Sequence, residues 1–253
     1  MILAHLDLIP AAVALVGSCV AIYTDMRWRI IPNKLNYPMM AFGVVFYLFL
    51  GFSKMDLMVA ISGVLGAIIC FAIGYVLWLT GGWAGGDVKL FTALGALLYG
   101  YSMPFGNPIY PVPLTLLFNS VIVSIPVLIV YSIILRARGE RVLYEEVKIT
   151  DLKEGMIPAE IIYEKEGKIG RYSSGFSLGK DFGKVYTNPR RAAGLTRYQV
   201  GVLKKLVRAK KIGNHIRVKK GLPFGPALAA GAFLLVLYGD IYWALVLGLF
   251  GYI

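Results

Sequence analysis

Six apolar runs separated by short polar joints set the terms on which this 253-residue chain can fold. They occupy residues 8–24, 37–52, 57–79, 88–100, 112–135 and 224–253. A bilayer core is about 30 Å thick, and lipid cannot hydrogen-bond an exposed backbone, so a chain crosses it as helices or as a closed barrel. In a chain that is 58% hydrophobic and 16% charged, these runs predict an α-helical polytopic membrane protein with about six transmembrane helices. The first run is expected to stay as a span. Its head, MILAHLDLIP, has no Lys or Arg, carries Asp7 and leads into no small-residue cleavage site.

Charge supplies an orientation, because short cytoplasmic joints collect Lys and Arg. The first joint, DMRWRIIPNK, holds Arg27, Arg29 and Lys34; in the second Lys54 and Asp56 cancel; YSMPFGNPIYPV is uncharged. Odd joints are therefore expected to be cytoplasmic, which places the amino and carboxyl termini outside. Residues 136–222 contain 21 Lys and Arg against nine Asp and Glu, which accounts for the whole net charge of +12. The expected division is a membrane domain over 1–135, a basic cytoplasmic insert over 136–222 and a last span over 223–253.

The insert reads as a small α+β domain. EVKITDLKEGMIPAEIIYEKEGKIGRY is a set of short β-branched and aromatic runs broken by Gly and Pro. In LTRYQVGVLKKLVRAKK, Thr196 is a candidate N-cap, and Val200, Leu203, Leu206 and Val207 share one helical stripe. Its basic surface suits an anionic inner leaflet, so membrane lipids are the expected partner and nucleic acid is not. Cys19 and Cys70 lie inside apolar runs with no CxxC pair, and His5 and His215 are isolated, read as surface or interface residues. No metal site, disulfide framework or cofactor is indicated, and the glycines near Asp87 lack the GK[ST] ending of a phosphate-binding loop.

The chemistry is expected at GGWAGGDVKLFTALGALLYG, residues 81–100. A helix over 88–100 would cover only about 20 Å, so the preceding glycine loop, with Gly85 and Gly86, is expected to dip below the surface and bring Asp87 with it. Capping of the helix by Asp87 and snorkelling of Lys89 would explain both residues without a function. Asp25, however, closes the first run on the same predicted side. Of the acidic residues outside the insert, Asp7 and Asp56 belong to the other side, and Asp240 lies in or beyond the last run. Two carboxyl groups close together in a poorly solvated site cannot both ionise easily, so one remains an acid while the other is an anion near neutral pH. The anion can take a proton from water while the acid serves the carbonyl under attack, as in aspartic proteases.

TDMRWRIIPNKLNYP and GGDVKLFTALGALLYG resemble the two aspartate motifs of the type IV prepilin peptidase family, the GxGD membrane aspartic proteases, which include archaeal preflagellin peptidases. KGLPFGPALAAGAF, residues 220–233, is similar to the family's proline-bearing entry to its last span. The resemblance implies a membrane aspartic endopeptidase that removes the short basic leader of pilin-like or archaellin precursors at the cytoplasmic face. It makes Asp25 and Asp87 the catalytic pair, with Gly85, Gly86, Lys89, Pro32 and Asn33 shaping the site. Ala84 stands where the first motif glycine is expected. The paired-cysteine amino-terminal domain of bacterial members is missing, which points to the archaeal branch and to no N-methyltransferase activity. Three other readings use the same features: a presenilin-like intramembrane protease, a proton-coupled secondary transporter, and a non-catalytic anchor for the basic insert. The family's aspartates suit Asp25 at the edge of its run, and no matched halves of the kind common in transporters are visible.

Overall fold

In the computed structural model, the structure describes residues 6, 8–105, 108–137, 144–172, 181–189, 194–219 and 224–250. His5 and Asp7 lie outside them, as do residues 220–223 of the third motif. The chain forms two compact units, Met1–Tyr131 with Pro223–Ile253, and Ser132–Leu222.

Among the described residues, four helices are long and apolar enough to cross a membrane: α1 (Leu8–Trp28), α2 (Asn33–Lys54), α3 (Leu57–Leu79) and α5 (Val112–Ala137). The fourth run forms α4 (Gly85–Leu98), 14 residues and about 21 Å, as short as expected but beginning at Gly85 instead of Val88. The run at 224–253 is divided into α7 (Gly225–Leu237) and α8 (Ile241–Leu249). Gly239 adopts φ +101° there, and Asp240 begins a new helix by accepting the Trp243 N–H at 2.8 Å. Helix α5 holds this break closed. The Thr115 hydroxyl donates to Asp240 at 2.6 Å, and the Asn119 side chain donates to the Gly239 carbonyl at 2.8 Å while accepting the Ile241 N–H at 3.1 Å. A helix-ending Gly followed by an N-capping Asp can interrupt an apolar stretch because each satisfies terminal backbone groups.

Helix α4 is enclosed by the others, with every side chain from Asp87 to Leu98 buried except Lys89. Backbones can approach it closely because small residues face it. A Cβ on Gly66 of α3 would collide with the Gly95 carbonyl oxygen, and one on Gly43 of α2 would come within 2.6 Å of the Ala96 carbonyl oxygen. The Tyr47 hydroxyl adds a hydrogen bond to the Leu97 carbonyl at 3.0 Å. Helix α2 turns into α3 through Met55 in the left-handed region, and Asp56 caps α3 by accepting the Met58 and Val59 N–H groups. Helix α7 packs on α1 and α4.

The second unit is α+β. Strands β1 (Tyr144–Lys148) and β5 (His215–Lys219) pair antiparallel, while β3 (Lys168–Tyr172), β2 (Ile161–Lys165) and β4 (Lys184–Val185) form a second sheet in that order. Thr196 caps α6 (Arg197–Arg208), accepting the Gln199 N–H, and Val200 and Leu203 are buried with Ile149, Ile162 and Ile216. Buried Glu160 ties the sheets together, because it accepts the Arg217 N–H and pairs with Arg171, whose guanidinium donates to the carbonyls of Gly213 and His215. His215 is exposed.

The glycine contacts on α4 yield a direct expectation. Gly66→Leu forces backbone apart and should lower unfolding stability in detergent by about 3 kcal/mol. Gly248→Ala, where nothing lies within 4 Å of an added Cβ, should leave the melting temperature unchanged or raise it slightly.

Candidate active site

Asp25 and Asp87 reach the site from different helices. Asp25 lies one turn before the end of α1, and its carbonyl accepts the N–H of Arg29, whose φ of +56° stops the helix. Asp87 is the third residue of α4 and accepts the Ala84 N–H at 3.0 Å through one carboxyl oxygen. It is therefore a cap as well as a buried acid, an arrangement favoured at a helix N-terminus by both hydrogen bonding and the helix dipole. The two side chains are only 7% and 6% exposed, and Asp87 lies within Coulombic reach of Asp25. Arg29 is within Coulombic reach of Asp25 in turn.

The environment of Asp25 is asymmetric. The backbone N–H of Gly225, the first residue of α7, approaches its carboxyl group. It does not close a hydrogen bond of normal geometry to Oδ2, which has no partner among the described residues. A Cβ on Gly225 would lie 2.8 Å from Asp25 Oδ2 and 2.9 Å from Ile31 Cδ1. Glycine is required there by close approach, not by its backbone angle. Just before α4, Trp83 packs edge-on against Phe91 at 5.2 Å between ring centroids and tilted against Phe224, the residue before Gly225, at 5.1 Å.

The other expected site residues fall in two groups. Lys89, Pro32 and Asn33 are brought together: the Lys89 ammonium donates to the Asn33 side-chain carbonyl at 2.8 Å, and Pro32 supplies the extended N-cap of α2. Lys89 thus fastens the start of α4 to the start of α2, with the Tyr37 ring 5.7 Å below its ammonium. Gly85 and Gly86 are not the bending loop expected of them. They form the first turn of α4, and positive φ is confined to Gly81 in this stretch, at +77°. Gly81 closes α3 by donating to the Trp78 carbonyl, the usual use of a left-handed glycine at a helix end. A Cβ on Gly85 would meet nothing within 4 Å, and one on Gly86 would make ordinary contact with Ile31. Ala84 has φ −83° and ψ 157°, open to any L-residue, so the family's first glycine is not required there by backbone geometry.

Gly225, Ile31, Trp83 and Phe224 were not singled out by sequence reasoning. Gly225 carried a signal in the motif FGPALAAG, where a glycine precedes a helix-starting proline. The approach of Ile31 to it, across almost 200 residues, left none. No group of three or more His, Cys, Asp or Glu able to hold a metal ion occurs among the described residues.

Fold and site together define a multi-pass helical membrane protein with a buried pair of carboxyl groups between α1 and α4. The sequence profile of the type IV leader peptidase family matches residues 12–129, and that of the archaeal peptidase A24 C-terminal domain matches residues 120–218, so the insert too is a recognised element. The chain belongs to the type IV leader peptidase family. It is 34% identical over 157 residues to the prepilin peptidase EppA of Methanothermobacter thermautotrophicus, a match covering 58% of this chain and 40% of that protein. It is 28% identical over 173 residues to the preflagellin peptidase of Methanocaldococcus jannaschii, covering 64% and 73%, and 32% identical over 127 residues to that of Methanococcus voltae, covering 47% and 54%. The chain thus spans less than half the length of the first relative and just over half of the third.

Gly225→Ala should push Asp25 or Ile31 from its place and lower the melting temperature in detergent, by the equivalent of about 1–3 kcal/mol. Gly85→Ala, on an open face in the first turn of α4, should be neutral or stabilising by up to about 1 kcal/mol.

Proposed function

We propose that this protein is a membrane aspartic endopeptidase that removes the short basic leader from pilin-like or archaellin precursors at the cytoplasmic face. The observation that carries the reading is the burial of Asp25 and Asp87, from two helices, within Coulombic reach of each other. One carboxylate takes a proton from a water molecule as that water attacks the scissile carbonyl, and the other, as an acid, protonates the carbonyl oxygen. On collapse of the tetrahedral intermediate the C–N bond breaks, and the departing amine takes up a proton from the pair. The names of the relatives, prepilin and preflagellin peptidase, support the substrate class.

Several features support the orientation and depth. Arg27, Arg29 and Lys34 flank the site end of α1 and α2, the pattern of a cytoplasmic joint. Tyr23 and Trp28 pack edge-on at 5.5 Å and are exposed, as is Tyr37, which suits the aromatic belt at a membrane–water boundary. In this reading α4 and the α7–α8 pair complete six membrane-inserted segments with both termini outside. Residues 136–222 are a cytoplasmic domain whose positive charge attracts anionic lipid. That charge would repel a basic leader, so substrate selection falls to the site and its flanking helices.

Asp25→Asn and Asp87→Asn should each reduce precursor cleavage by roughly a thousandfold or more while the protein still inserts, since each removes one of two unlike proton-transfer roles. The wild-type rate should follow a bell-shaped pH curve set by the pair as a unit. Cleavage of a precursor but not of a simple transmembrane peptide would separate this activity from general intramembrane proteolysis. Normal processing by either Asn variant would remove the carboxyl pair from the mechanism.

EDTA should leave the rate unchanged, because the proposed chemistry uses two carboxyl groups and water. Loss of cleavage on chelation, restored by zinc, would mean that a metal does the work.

A further inference from the structure

The four residues between α1 and α2 are Arg29, Ile30, Ile31 and Pro32, and they treat their two isoleucines in opposite ways. Ile30 is 64% exposed, whereas Ile31 is 6% exposed. The Ile31 side chain runs inward between two glycines, one beside each aspartate. Its Cβ is 3.5 Å from where a Cβ on Gly86 would stand, next to Asp87 in the chain. Its Cδ1 is 2.9 Å from where a Cβ on Gly225 would stand, a point that is itself 2.8 Å from Asp25 Oδ2.

Ile31 thus lies between Gly86 at the start of α4 and Gly225 at the start of α7, beside the Asp25 carboxyl group. A peptide carbonyl and an attacking water must come within about 3 Å of the acid and base that serve them. Ile31 stands in that space, beside a carboxyl oxygen that has no hydrogen-bond partner among the described residues.

We infer that Ile31 is a gate: the structure is the closed state of the site, and the substrate backbone enters between Gly86 and Gly225 when Ile31 swings out. This rests on the reading of Asp25 and Asp87 as the catalytic pair. The connection is built for such a movement. Arg29 holds a left-handed φ of +56°, a strained conformation for a non-glycine residue that a shift of the loop would relieve. Pro32, with its ring-fixed φ of −68°, anchors the other end at the N-cap of α2, and Asn33 is held by Lys89. The two glycines leave room for a backbone where Ile31 now lies. The closed gate keeps bulk water from the pair until a peptide displaces it, as lids do in other enzymes.

Two measurements on the full-length protein in detergent test this. The first uses no substrate: labelling of Asp25 and Asp87 by a water-soluble carbodiimide and an amine, followed by mass spectrometry. Ile31→Ala should label about tenfold faster than wild type, with its fold checked by thermal unfolding. The second is a lock. The 3.5 Å between the Ile31 Cβ and a Cβ on Gly86 falls within the usual disulfide range of about 3.5–4.5 Å. The pair Ile31→Cys and Gly86→Cys, in a Cys19→Ser, Cys70→Ala background, should oxidise readily. Oxidation should slow labelling and reduce precursor cleavage by about a hundredfold, and reduction should restore both. Unchanged labelling in Ile31→Ala, a pair that cannot be oxidised, or an oxidised pair that cuts as fast as the reduced one would overturn the gate. If labelling responds as expected but wild type never cuts a precursor, the gate stands as a cover over the carboxyl pair and the peptidase reading falls.

Discussion

A 14-residue helix about 21 Å long cannot span a hydrocarbon core of about 30 Å. At least one end of α4 must therefore be provided for by protein instead of water, and most of the membrane unit follows from that constraint. Its flanks are covered by α2 and α3, whose Gly43 and Gly66 let backbone meet backbone. Its first turn is closed by Asp87 on the Ala84 N–H and fastened to α2 by Lys89 on Asn33. Burying Asp87 at this end costs free energy that a cap of about 1 kcal/mol does not repay. A carboxyl group kept in such a position, with a second from α1 beside it, is better explained by chemistry than by architecture.

The surroundings of the pair divide the tasks. Ala84 and Lys89 fix where α4 begins and so where Asp87 stands. Gly225 lets the start of α7 close over Asp25, and Trp83, packed between Phe91 and Phe224, joins the start of α4 to that of α7. Far from the site, Thr115 and Asn119 hold the break between α7 and α8, which sets where α7 ends. With Ile31 as the gate inferred above, this frame would admit a substrate from outside the bundle past a single side chain.

Much of this was legible in the sequence. Long apolar runs announced α1, α2, α3 and α5, since lipid leaves a chain few alternatives. Asp25 and Asp87 stood out because charge is scarce in such runs, and Thr196 announced α6 through ordinary capping chemistry. The division of the last run was missed, although Gly239 followed by Asp240 is a helix stop followed by a helix start; the apolar residues on both sides masked it. Gly85 and Gly86 read as a loop because glycine permits a bend without requiring one; both lie in the first turn of α4, where an added Cβ would meet nothing at Gly85 and only ordinary contact at Gly86. Ile31 against Gly86 and Gly225 is a tertiary approach, and no periodicity or spacing encodes it.

The central claim is that Asp25 and Asp87 face each other as one coupled unit, and a double-mutant cycle on unfolding free energy tests it without any substrate. Asp25→Asn, Asp87→Asn and the double variant would be compared in the same detergent at neutral pH. Each single change removes the cost that one carboxyl group imposes on its neighbour, as repulsion or as a proton held at neutral pH, and the second change has none left to remove. The account predicts that the double variant gains less than the sum of the singles, by about 1 kcal/mol. Effects that add to within about 0.3 kcal/mol would mean that the two aspartates do not sense each other.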